Sequence, residues 1–218
     1  MFNIAILGLG DFENWNNSQS LSLGGASGVI KSILPYLEAD SIYLMGITSN
    51  RKNLYEKIPL TKNIYIVPIA YVPRNAIPPI RFHAFFYARR INSILKKYEI
   101  HSVYSHAEEI SYWIKPGIRI LYHMHGSTNA LVKAKKRIFR SKLLQDQWES
   151  IRKANIKKAK HIIAIDHLCL NLIKSHGMED KAILLPNFVD TGVFYKDSAV
   201  CSLLDHIDKR ILLFVGRI

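Results

Sequence analysis

Asn3-Ile4-Ala5-Ile6-Leu7-Gly8-Leu9-Gly10 is an apolar run that breaks off at glycine. It is too short for a buried helix and does not alternate with polar residues, which is the pattern of a strand covered on both faces. No basic leader precedes it and Asp11 interrupts the apolar character, so it reads as a first strand and not as a secretion signal. Working outward, similar runs recur at Ser41 to Gly46, Asn63 to Pro68, Ser102 to Ser105, Arg119 to His123, His161 to Ile165, Ala182 to Leu185 and Arg210 to Val215. Helical patterns lie between them. Ile30, Ile33, Leu34 and Leu37 make a buried stripe that Pro35 should shorten, and Phe85, Ala88, Ile91, Leu95 and Tyr98 make a second. Asp166 can cap a helix that closes at Gly177, Val72 to Pro79 is a proline-rich loop, and Asp190 to Asp208 reads as a short helix or hinge. Strands alternating with helices predict an α/β architecture, an open parallel sheet with helices on both faces.

The 218 residues suggest one full domain and a remainder, and 49% hydrophobic residues suffice for a sizeable core. No apolar stretch reaches the roughly 18 residues of a membrane span. Cys169 and Cys201 are too few for a disulfide framework, and a reducing cytoplasm is expected. A net charge of +13 implies an anionic partner. Most of the excess sits between residues 131 and 160, where eleven lysines and arginines face only Asp146 and Glu149. In that segment Leu144, Trp148 and Ile151 fall on one helical stripe among Arg152, Lys153, Lys157 and Lys158. Two readings share this periodicity: a face lying on an anionic membrane, with Trp148, Arg152, Lys153 and Lys157 turned to it, or a helix packed on the sheet with its charges in water. A basic module binding nucleic acid without catalysis is the rival from another class, but no helix-turn-helix or RNA-binding signature is present, and no nucleic-acid partner is expected.

The first strand ends in Gly8-Leu9-Gly10, yet the third glycine of a dinucleotide fingerprint is replaced by Glu13, and no acidic residue ends the second strand to hold a ribose. Gly24-Gly25-Ala26-Ser27-Gly28 is more informative. Backbone free of side chains at the start of a helix admits a diphosphate, although a flexible loop capped by Ser27 would look the same. Tyr122-His123-Met124-His125-Gly126-Ser127 ends another strand, where open parallel sheets bind ligands. His123 and His125 share a face there, and with no third ligand at a convincing spacing no metal is expected. His123 also reads as an ordinary core histidine. Glu108 and Glu109, adjacent in sequence, cannot flank one glycosidic bond and read as the opening of a helix at its positive end.

Three separated motifs then agree in order and spacing. Gly24-Gly25 before the first helix, the strand ending in His125-Gly126, and Leu185-Pro186-Asn187-Phe188-Val189-Asp190 followed by Phe194 together resemble family 4 glycosyltransferases of the GT-B fold. Leu213-Phe214-Val215-Gly216-Arg217 resembles the first strand of that family's second domain. The resemblance implies residues 1–208 as a Rossmann-like, acceptor-side domain with its linker, and 209–218 as the start of a donor-binding domain cut short, so that the rest of that domain is a missing partner. It implies a retaining transfer from a nucleotide-diphosphate sugar, a co-substrate and not a cofactor, to a glycan or lipid-linked acceptor in polysaccharide or cell-envelope synthesis, at the cytoplasmic face of the membrane. By residue, it implies that His125 acts at the reaction centre, that Gly24, Gly25 and Arg217 meet the donor diphosphate, and that Ser127, His123 and Asn187 are acceptor-binding candidates. It implies no catalytic metal. Asp166 departs from the serine common at its place, preserving a cap but not a hydroxyl contact. A chain stopping on an apolar strand bearing Leu212, Phe214 and Ile218 is also expected to be a truncated product.

Overall fold

The computed structural model describes residues 2–15, 25–132, 134 and 137–187. Among them the strands are β1 Asn3–Leu7, β2 Ser41–Met45, β3 Ile47–Thr48, β4 Ile58–Pro59, β5 Ile64–Ile66, β6 Ala70–Tyr71, β7 Ser102–Ser105, β8 Arg119–Met124, β9 His161–Ala164 and β10 Ala182–Leu184. The α-helices are α1 Gly25–Ile33, α2 Ile80–Tyr87, α3 Ile91–Lys97, α4 Glu108–Ser111, α5 Lys142–Lys158 and α6 His167–Ser175. The main sheet runs β10-β9-β8-β7-β1-β2-β5-β4. It is parallel except for the edge strand β4, which pairs antiparallel with β5, and β3 and β6 form a separate parallel pair. Those three two-residue strands are too short to leave a periodic signal. The expected strand at Arg210 to Val215, together with Asp190 to Asp208 and Arg217, lies outside the described residues.

The unbroken apolar character of β1 has the anticipated cause, since both of its faces are covered. Ile4 and Ile6 pack with Ile30 of α1, Phe12, Ile42 and Leu44, whereas Ala5 and Leu7 pack with Ile91 and Leu95 of α3. Burying each large aliphatic side chain in this way is worth about 1.5–3 kcal/mol. Helix α1 stops at Ile33 and tightens into a 3-10 turn, Leu34–Tyr36, as a proline at that place requires. The stripe from Phe85 to Tyr98 is likewise divided, into α2 and α3 by a 3-10 turn at Ala88–Arg90. The glycines after β1 serve packing. A Cβ on Gly10 would meet Ser27 Oγ at 2.7 Å and the Phe12 ring at 2.9 Å, so the loop lies directly against α1. Asp166 caps α6 by accepting from the Cys169 amide at 2.7 Å, and Gly177 takes a φ of +69° just beyond its end.

Helix α5 corrects one expectation. Trp148 and Arg152, read as facing a membrane, are each only 3% exposed. The apolar stripe packs inward, with Trp148, Ile151 and Leu131 against Phe82 and Phe85. Arg152 lies in that stripe because a buried carboxylate, Glu108, waits for it there. Lys153 and Lys157 do stay exposed. Among the described residues no helix is long and apolar enough to cross a membrane.

Candidate active site

The strand order changes direction between β1 and β7. From β1 the chain moves through α1 to β2 on one side, and from β7 through β8 to β9 on the other. Ligands of open parallel sheets bind at such a switch point, beyond the carboxyl ends of the strands. Three described segments lie at those ends: Gly8-Leu9-Gly10 after β1, Ser105-His106 at the end of β7, and Met124-His125 at the end of β8. Side chains alternate along each strand, so Tyr104 and His106 share a face, and so do His123 and His125. Because β7 and β8 are neighbours in register, the four rings meet.

Tyr104 Oη lies 2.6 Å from His123 Nδ1, and His106 Nδ1 lies 2.7 Å from His125 Nε2. The rings of His123 and His125 stack at a centroid distance of 4.3 Å, and those of His106 and His125 at 5.0 Å. Burial forces these imidazoles neutral. His106 falls to about 2 through burial and then the charges of its two histidine neighbours, and His123 to about 3 through burial and then His125. His125 falls to about 4 through burial and then the nearby Arg81 guanidinium. His125 is half-buried and is followed by the exposed Gly126, so this ring faces the open side. One ring nitrogen from each histidine lies within 4.8 Å of the others, a donor set of the kind that binds metal ions. The fold thus supplies beside His123 and His125 the third ligand that sequence spacing did not reveal.

Beneath the cluster lies a buried ionic network. Arg81 donates to both carboxylate oxygens of Glu109, at 3.2 and 3.0 Å. Burial pushes the Glu109 carboxyl up to about 7, even against the pull of Arg81. Glu108 accepts from Arg152 Nε at 3.0 Å, Trp148 Nε1 at 2.8 Å and the Tyr122 hydroxyl at 3.3 Å. Arg152 then reaches the other way, donating to the carbonyls of Ser127 at 2.9 Å and Thr128 at 3.1 Å. The two glutamates do open a helix, α4, and their side chains tie α2 and α5 to it. The loop after His125 is held to α5 by the Arg152 guanidinium and by Asn129, which donates to the Gln145 carbonyl at 3.0 Å.

Of the residues expected at the site, His123 and His125 come together, Ser127 follows two residues on with its carbonyl held by Arg152, and Gly25 opens α1 after β1. His123 is buried, and its Nδ1 is bonded to the Tyr104 hydroxyl, which orients the ring within the cluster. Asn187 is exposed beyond β10. Gly24 and Arg217 lie outside the described residues. An open depression of about 510 Å³ is at the opposite edge of the sheet, lined by Arg119, Lys160 and His161 where β8 and β9 begin. Parallel sheets do not place ligands at that edge, so the carboxyl edge is the better site.

The model of Glycosyltransferase Family 4 matches residues 23–193, well over half of the chain. The chain belongs to glycosyltransferase family 4. No curated protein matches this family 4 chain in sequence. Among solved structures, sucrose-phosphate synthase (tll1590) from Thermosynechococcus elongatus superposes with a TM-score of 0.68 at 12% identity, over 100% of this chain and 56% of that one. Alr3699/HepE of Anabaena, in complex with UDP and glucose, superposes with a TM-score of 0.50 at 12% identity, over 94% of this chain and 50% of that one. The family 4 chain therefore spans about half the length of these structures, and the likeness shows a shared GT-B, Rossmann-like fold. Residues that sequence reading missed are His106, Tyr104, Arg81 and the Glu108–Arg152 pair.

Proposed function

We propose that this chain is the acceptor-side half of a retaining glycosyltransferase that moves a sugar from a nucleotide-diphosphate donor to a glycan or lipid-linked acceptor. The observation that supports the reading is the match to family 4 together with a parallel sheet in which β1, which leads to α1, and β8, which leads to His125, flank β7 at the switch point. A neutral His125 can donate or accept a hydrogen bond to a sugar hydroxyl without adding positive charge beside an oxocarbenium-like transition state. The start of α1, with Gly24 and Gly25, takes the donor diphosphate, and Arg217 meets the charge that develops on it as it leaves. Ser127 and Asn187 belong to the acceptor side. The transfer is assigned no metal. That Alr3699/HepE was captured with UDP and glucose supports a nucleotide sugar as donor.

The test is a transfer assay with the gene product that carries this chain, using UDP-, GDP- and ADP-sugars and glycan and lipid-linked acceptors, with the anomeric configuration of the product read by NMR. Retention, together with a loss of about 100-fold or more in kcat on His125→Ala, is expected. Inversion, or full activity of the variant, would overturn the assignment.

A membrane-borne acceptor is favoured by one surface. Ile77, Ile80, Phe86, Ile138 and Leu143 are all exposed, on or close in sequence to the two segments that supply a groove of about 230 Å³ lined by Pro78, Phe82, Phe86, Tyr87 and Phe139. Arg137, Arg140 and Lys142, close in sequence to Phe139, are exposed. Apolar side chains bordered by basic ones match the headgroup region of an anionic bilayer, and we assign this face to peripheral contact with the inner leaflet.

A further inference from the structure

We propose that His106, His123 and His125 form a binding site for a divalent ion of the zinc class, and that its occupancy withdraws His125 from the sugar. The site itself stands on the side-chain geometry, whereas its effect on a sugar rests on the role proposed above for His125, and the binding experiment below tests the site apart from that role. Three imidazoles with an open fourth position are a recurrent zinc donor set. Here one nitrogen from each lies within 4.8 Å of the others, and His106 and His125 are already in contact. A tetrahedral ion at the usual metal–nitrogen distance wants its donors about 3.3 Å apart. Closing the set from 4.8 Å requires the rings to turn, and His125 is the least buried of the three.

Two further observations point to a ligand. His106 Nε2 and His123 Nε2 are buried and find no protein hydrogen-bond partner, although buried ring nitrogens normally do. The His123 ring is also held through its other nitrogen by Tyr104, the arrangement that orients metal-binding histidines. The Tyr104 hydroxyl stays protonated, since burial raises it, and its lone pair can accept from His123 Nδ1–H, leaving Nε2 free to ligate. All three rings are neutral near pH 7, as ligation requires. The fourth position opens toward Gly126, where a Cβ would meet nothing within 4 Å. The nearby positive charge, Arg81, is countered by its bidentate Glu109 partner. With one nitrogen of His125 on the ion, its contact with His106 is given up and its ring no longer turns freely to a substrate, so the ion acts as an inhibitor and not as a cofactor.

The experiment is titration of the untagged, metal-free chain with Zn²⁺ by calorimetry, and with Co²⁺ by visible absorption. One ion per chain, a dissociation constant near or below about 10 µM and the intense bands of a four-coordinate cobalt site are expected. His106→Gln, His123→Gln and His125→Gln should each weaken binding at least about tenfold, and Tyr104→Phe by a smaller factor. His101→Gln and His161→Gln, which alter exposed histidines, should leave it unchanged. X-ray absorption at the zinc edge of the wild-type chain counts imidazole ligands directly and so decides the matter even if a variant fails to fold. Fewer than three imidazoles, substoichiometric uptake, or binding that survives His106→Gln would overturn the site.

Discussion

His106, His123 and His125 carry a pH dependence whose sign follows from burial. Each has a folded pKa below its usual 6.5, at about 2, 3 and 4 respectively, so the unfolded chain binds more protons than the folded one. Their contribution to stability is complete above 6.5 and is lost as the pH falls from there toward 4 and below. Each proton steepens the loss by up to about 1.4 kcal/mol per pH unit. Glu109 works in the opposite direction. Its folded pKa of about 7 exceeds the usual 4.5, so its contribution is present below 4.5 and is lost as the pH rises through 7. Between these limits three depressed bases outweigh one raised acid. The urea midpoint of the metal-free chain should therefore drop from pH 7.5 to pH 5, and His106→Gln should make the drop shallower. A midpoint that climbs on acidification would contradict this account of the cluster.

At the level of elements, α5 fastens α4 and the loop after β8. Trp148, Arg152 and Asn155 reach Glu108, while Lys158 donates to the carbonyls of Ser111, Tyr112 and Ile114 at the end of α4. Removing one partner of a buried ion pair leaves the other charged and dry. Arg152→Ala is therefore expected to cost about 3–5 kcal/mol in chemical denaturation and to release the loop at Ser127 and Thr128. Arg152→Lys, which keeps the charge but not the fork of donors, should recover only part of this. A loss under about 1 kcal/mol for Arg152→Ala would mean that Glu108 is not held this way. This pair also marks where sequence reading stopped. The strands were legible because continuous apolar runs such as Ile4 to Leu7 have one physical cause, a sheet covered on both sides. The stripe of Leu144, Trp148 and Ile151 was legible as well, but periodicity gives a stripe and not what it meets. An arginine beside it read as surface because its carboxylate partner lies 44 residues away in sequence. His106 left a fainter mark, the spacing Tyr104-x-His106 repeated as His123-x-His125. That signal acquires meaning only once β7 and β8 are known to be neighbours in register.

For the molecule as a whole, the basic excess has two possible outlets, and they differ in place. Lys153 and Lys157 are exposed on α5, while Arg137, Arg140 and Lys142 stand beside the exposed Ile138 and Leu143. Charge alone draws a protein to an anionic bilayer by about 1 kcal/mol per basic side chain and fades with salt, whereas apolar insertion persists. Only the second face offers both. Flotation with phosphatidylcholine vesicles containing phosphatidylglycerol is therefore expected to carry the chain, and vesicles of phosphatidylcholine alone to carry little. Ile138→Glu with Leu143→Glu should lower binding about tenfold or more, whereas Lys153→Glu with Lys157→Glu should change it less than twofold to threefold. If the lysine pair governs binding instead, the contact belongs to the Lys153 and Lys157 side of α5 and the assigned face is wrong. If neither mixture floats the chain at low salt, the apolar groove at Phe86 and Phe139 does not meet a membrane, and the acceptor is to be sought among water-borne glycans.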